Sequence, residues 1–126
     1  MDESTVTDTL GTRLARAIAA KDEAALRGVL AVDVDFKGLT PGRLWEGTGP
    51  DDVVATLFGA WFEPEDRIER VVDLSEGADV ADTSHVSYRF DLATPTGSYV
   101  AEQQAYYRGD GTIAHLRMMC SGFRPR

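Results

Sequence analysis

Apolar positions in the first half of the chain recur at helical spacing. Those after Pro64 alternate instead, as in strands with one buried face. Val6, Leu10, Leu14, Ala17 and Ile18 predict a first helix, with Arg13 and Arg16 on other faces and Thr5 or Thr7 as its cap. Gly11 inside that stripe costs up to about 1 kcal/mol relative to Ala, which points to something packed closely against it. Asp22 predicts the start of a short second helix with Ala25, Leu26, Val29 and Leu30 on its apolar face. A short strand follows over 32–39 and ends at Thr40-Pro41-Gly42. Pro50 after Gly49, with Asp51 and Asp52 in the first turn, opens a third helix whose stripe is Val54, Leu57, Phe58 and Trp61.

Four strand-like runs remain, over 68–74, 80–93, 98–108 and 112–120. In the second, Val86, Tyr88, Phe90 and Leu92 alternate with His85, Ser87, Arg89 and Asp91. Gly109-Asp110-Gly111 predicts a tight hairpin between the last two. The order predicts a single α+β domain spanning 1–126. Three N-terminal helices pack on one face of a strongly curved, antiparallel or mixed sheet.

Composition narrows the function. The chain has 126 residues, with 13 Lys plus Arg against 21 Asp plus Glu, for a formal charge of -8. An anionic surface gains nothing from phosphate counterions or anionic lipid, so neither nucleic acid nor membrane is an expected partner. A domain this size buries roughly two-thirds of its extended surface and needs no staple. Cys120 is the lone cysteine, so no intrachain disulfide forms and a reducing cytoplasm is the expected compartment. The opening Met1-Asp2-Glu3-Ser4 lacks a signal-peptide pattern. His85 and His115 are far apart and no Cys pair exists, so no metal site is expected, and no Gly-rich phosphate loop calls for a cofactor.

The element order resembles the nuclear transport factor 2-like superfamily. Ketosteroid isomerases, SnoaL-type polyketide cyclases and limonene epoxide hydrolases share its conical fold. The most specific local signals are Gly49-Pro50-Asp51-Asp52-Val53-Val54 and the hairpin Asp110-Gly111-Thr112-Ile113. The resemblance implies a cone-shaped pocket. Counted back from the hairpin, it puts Glu102, Gln104 and Tyr106 inward, with Leu116, Met118 and Cys120 on the last strand. His115, Arg117 and Met119 then face outward, with Tyr99 and Tyr107 on the outer face too, where such proteins form homodimers. Trp45, Trp61 and Phe58 would line an aromatic mouth or pack as core.

The sharpest chemistry lies at Arg89-Phe90-Asp91 with Pro95-Thr96-Gly97 downstream, which resembles the catalytic Arg-x-Asp of the limonene epoxide hydrolases. A carboxylate kept ionised by Arg activates water while a second acid donates a proton. That family's second acid falls near Met118, where none is present, and Glu102 is the substitute on the next strand. The competing reading of Arg89 and Asp91 is an ion pair on a solvated face. By the isomerase pattern the base falls near Gly38, with Asp35 close by, and Gln104 replaces the oxyanion acid. Two functions follow. One is a cofactor-independent enzyme acting on a small hydrophobic or polyketide-like molecule through Asp91, Arg89 and Glu102. In it Gln104, Tyr106, Met118, Leu116, Trp61, Phe58, Asp35 and Trp45 hold the substrate. The other is a non-catalytic dimeric domain that binds a small ligand or a partner.

Overall fold

A computed structural model describes residues 8–126, so the predicted cap at Thr5 or Thr7 and the contact of Val6 lie outside the described residues. Helix α1 runs Leu10–Ala19, and Thr9 caps it by accepting the Thr12 N–H at 3.1 Å. Its Gly11 lies against Tyr107: a Cβ there would come within 2.7 Å of the phenol oxygen, and the Gly11 N–H donates to that oxygen at 3.0 Å. Helix α2, Glu23–Val29, starts at Asp22, whose carboxylate accepts the Ala25 N–H. Helix α3 begins at Pro50 and stays α-helical to Val54. It then widens into a π-helical turn over Ala55–Trp61, closed by Phe62 N–H to Leu57 O. The wide turn brings both Trp61 and Phe62 into the core.

The sheet contains β1 (Leu30–Thr40), β2 (Arg43–Thr48), β3 (Arg67–Glu76), β4 (Ser84–Thr94), β5 (Gly97–Arg108), β6 (Ile113–Cys120) and the two-residue β7, Arg124–Pro125. Its order is β2-β1-β6-β5-β4-β3, with β7 beside β5. Among the described residues only β1 and β6 pair in parallel, so the sheet is mixed. Strand β2 was not expected. It is an exposed edge strand without apolar alternation. Helices cover one face of the sheet, as the α+β layout requires. The core between the layers holds Leu14, Ile18, Leu26, Val34, Phe36 and Phe90, all fully buried. Strand β3 carries two irregularities, and Asp73 within the second has a positive φ of 55°. No helix among the described residues is long and apolar enough to cross a membrane.

Strand parity corrects part of the expected pocket. A three-residue turn at Gly109-Asp110-Gly111 would pair Arg108 with Thr112, but Arg108 pairs with His115. That shift of three residues is odd, so it inverts β5 relative to β6. Gln103 therefore faces inward opposite Cys120, and Tyr107 opposite Leu116. Glu102, Gln104 and Tyr106 lie on the outer face, contrary to expectation, and all three are exposed. The same inversion moves Tyr99 and Tyr107 from the outer face to the inner one. Leu116, Met118 and Cys120 are buried inside as predicted, and His115, Arg117 and Met119 are outside.

Candidate ligand site in the cone

The inner wall is built by three adjacent strands and the end of the wide helix. Tyr88 on β4 lies opposite Gln103 on β5, and Gln103 lies opposite Cys120 on β6. The Tyr88 hydroxyl donates to Gln103 Oε1 at 2.7 Å. Burial pushes the Tyr88 phenol well above its ordinary range. Burial also raises the Cys120 thiol, so this thiol is no activated nucleophile.

Trp61 closes the cone from the helix side. Its indole lies against Gly38, where a Cβ would come within 2.7 Å of the ring. Position 38 thus needs glycine for close approach rather than for any special φ. Trp45 meets Trp61 edge-on at 6.3 Å, and its own indole N–H donates to Thr40 Oγ1. Between these rings opens a cleft of about 280 Å³ lined by Thr40, Trp45, Trp61, Cys120 and Phe123, with Glu63 at its rim. Trp61 Nε1 in this cleft is buried without a partner among the described residues, as is Gln103 Nε2 on the strand beside Cys120. Phe58 packs against the core and does not reach this cleft, whereas Trp45 and Trp61 do.

The predicted acids do not converge on the cone. Asp35 is exposed on the outer face, 3.4 Å from Arg117. Glu102 pairs with Arg124, and Arg89 sits opposite Glu102 on the same outer face, 3.6 Å from Asp73. Gln104 Oε1 accepts from His85 Nε2, whose ring stacks on Tyr106 at 4.6 Å. Asp91 also points outward but is only 3% exposed, because Arg70 and Arg126 cover it. The Arg70 hydrogen bond holds its carboxyl below the usual range, with the charges of Arg70, Arg126 and Arg89 adding to this against the cost of burial. Asp91 and Arg89 are thus members of separate ion pairs on the outer face. No group of carboxylates, histidines or cysteines among the described residues could hold a metal ion.

The residues missed in the sequence are Gln103, Tyr88 as a polar group, Phe123 and Thr40. The usable signal was Ala101 and Ala105, small residues that alternate with Gln103 and mark the face lying under the helices.

No family model matches the sequence, and no curated protein matches it. Solved structures do match. An LEH-like epoxide hydrolase from M. tuberculosis is 15% identical at a TM-score of 0.68, covering 95% of this chain and 86% of that one. A hypothetical protein with a ketosteroid isomerase-like fold from Catenulispora acidiphila DSM 44928, in complex with trimethylamine, is 15% identical at 0.63, covering 91% and 87%. An NTF2-like protein from Burkholderia xenovorans LB400 is 14% identical at 0.60, covering 89% and 86%. At such identities the likeness carries the fold, which is the nuclear transport factor 2-like α+β cone.

Proposed function

We propose that this chain, a nuclear transport factor 2-like cone, binds a small, mainly apolar molecule that carries a hydrogen-bond acceptor. One observation carries the reading: Trp61 Nε1 is a buried donor without a partner among the described residues, in a cleft walled by aromatic rings. An unsatisfied buried donor costs about 1–3 kcal/mol, which an acceptor oxygen on a ligand offsets. That N–H is closed to solvent, so a ligand acceptor reaches it as the rings at the mouth give way. The cleft is about 280 Å³, close to twice the roughly 150 Å³ that holds one benzene, so a bicyclic ligand fits. The outward placement of Asp91, Glu102 and Asp35 leaves the inner wall without their carboxylates, which favours binding over paired-acid catalysis. The similar Catenulispora acidiphila protein, which holds trimethylamine, supports small-ligand binding on this fold.

The test is a titration with 1-tetralone followed on the Trp61 indole N–H resonance. A saturable downfield shift is expected, with tetralin, which lacks the carbonyl, binding more weakly. Absence of any shift with both compounds overturns the reading.

A second reading, acid–base catalysis on the same ligand class, is favoured by Glu63, a residue lining the cleft, and by the similar epoxide hydrolase. Glu63 would act there as general base toward water. Hydration of cyclohexene oxide that is lost in Glu63→Gln would establish it. No turnover by the unaltered protein would remove it.

We also propose a homodimer through the outer sheet face. Leu39 and Leu44 are about half exposed there, and with Met119 and Tyr106 they line an apolar groove of about 240 Å³ rimmed by Lys37 and Arg117. The single, unpaired Cys120 favours a reducing, cytoplasmic setting.

A further inference from the structure

We infer that Phe123 is the specificity-determining residue of the cone: its ring is the wall that limits how long a ligand can be. This rests on the cone-binding reading above and adds to it a limit on ligand size. Two clefts meet at this residue. The inner one is the 280 Å³ cleft beside Trp61, and the outer one is about 400 Å³ and lined by Asp66, Thr94, Thr96 and Tyr99. Both are bounded by Phe123 and by Glu63.

The ring is held in place by stacking and not by any polar contact. It lies on Phe62 with centroids 5.8 Å apart and planes at 26°, and against Tyr99 at 6.1 Å. The backbone that delivers it is a strap over residues 121–126. Gly122 adopts a φ of +73°, a left-handed conformation that turns the chain out of β6 beside Pro41. Beyond it, β7 pairs Pro125 with Tyr99 and Arg124 with Val100. Arg124 is ion-paired to Glu102, and Arg126 reaches Glu69 at 2.8 Å and Asp91 at 3.8 Å. The acids on the outer face thereby anchor a strap whose aromatic residue points to the inner face. Successive residues of an extended strand point to opposite sides, so fastening Arg124 outward fixes Phe123 inward.

The chemistry on the two sides of the ring differs. The inner cleft offers indole rings and the unpaired Trp61 N–H. The outer one offers linked hydroxyls, with Thr96 Oγ1 2.9 Å from the Tyr99 hydroxyl and 3.0 Å from Thr94 Oγ1. A ligand confined by Phe123 is therefore a compact apolar acceptor. Removing the ring joins the two spaces and admits a longer molecule of the same head group.

The experiment compares 1-tetralone with 6-phenyl-1-tetralone on the full chain and on Phe123→Ala. The variant is expected to shift the ratio of the two affinities about tenfold or more toward the longer ketone. An unchanged ratio of the two affinities, with 1-tetralone still bound, overturns the role of Phe123 and leaves cone binding intact. Failure of both ketones on both proteins overturns cone binding, and this inference with it. If Phe123→Ala loses its cooperative melt, Phe123→Leu, which keeps apolar contact but lacks the ring, is read by the same ratio.

Discussion

Asp91 is held by Arg70 and not by Arg89. The Arg70 Nε lies 2.7 Å from Asp91 Oδ2 across β3 and β4, while the Arg89 guanidinium turns to Asp73 at 3.6 Å. The pair that alternation places two residues apart on one strand is thus split between two partners on the neighbouring strand.

This predicts a specific pH dependence. Because the Arg70 hydrogen bond lowers the Asp91 pKa in the folded state, the carboxylate contributes stability above its unfolded value of about 3.9. That contribution fades as pH falls through the folded value. Arg70 is largely exposed and its charge is screened, so Asp91→Asn should cost only about 1 kcal/mol at neutral pH. Urea unfolding at neutral pH and near pH 3 should find the gap between the two proteins wide in the first case and shrunken in the second. A gap that stays constant would refute the assignment.

Tyr88 and Gln103 should behave as one buried unit. Tyr88→Phe leaves Gln103 Oε1 without its donor at a site only 1% exposed, for a loss of about 1–3 kcal/mol. Adding Gln103→Met to that variant removes the stranded amide, so the double change should cost less than the sum of the two single ones. A double-mutant cycle by urea unfolding measures this coupling, and strict additivity would contradict it.

Leu39 and Met119 sit opposite each other on the parallel pair β1 and β6, both on the outer face and both about half exposed. If that face joins two copies, Leu39→Lys with Met119→Lys places like charges in the apolar groove. The mass in solution should then fall from twice 13.7 kDa to 13.7 kDa, with the far-ultraviolet spectrum unchanged. Light scattering that finds the unaltered protein already monomeric would sink the proposal.

The fold was legible because its helices and central strands are written in burial. Leu14, Ala17 and Ile18 on α1, and Val86, Tyr88, Phe90 and Leu92 on β4, are all buried as their spacing requires. Gly11, read as a site of close packing, is where the Tyr107 ring lies. The edge strand β2 was not legible, since an exposed strand with residues such as Arg43, Glu46 and Thr48 carries no apolar rhythm. The site failed for a different reason. Strand parity depends on loop geometry, and an odd shift in the β5–β6 connection exchanged Glu102 and Gln104 for Gln103. Amphipathic pattern on β5 is ambiguous because both faces carry large side chains, with Tyr106 outside and Tyr107 inside. Only the alanines at 101 and 105 separate them. Trp61, Met118 and Cys120 were placed correctly because their elements are apolar on a single side.

The irregular strand β3 has a bearing on the protein's colloidal fate. It is one of the two outermost strands of the sheet path, and an unprotected edge is a template on which further chains can add by backbone pairing. The turn of Asp73 into positive φ interrupts the regular row of N–H and C=O groups there, and Arg67, Glu69 and Arg70 surround it with charge. A flat neighbouring strand finds only short stretches to match. The kink in β3 therefore guards against fibril-like stacking.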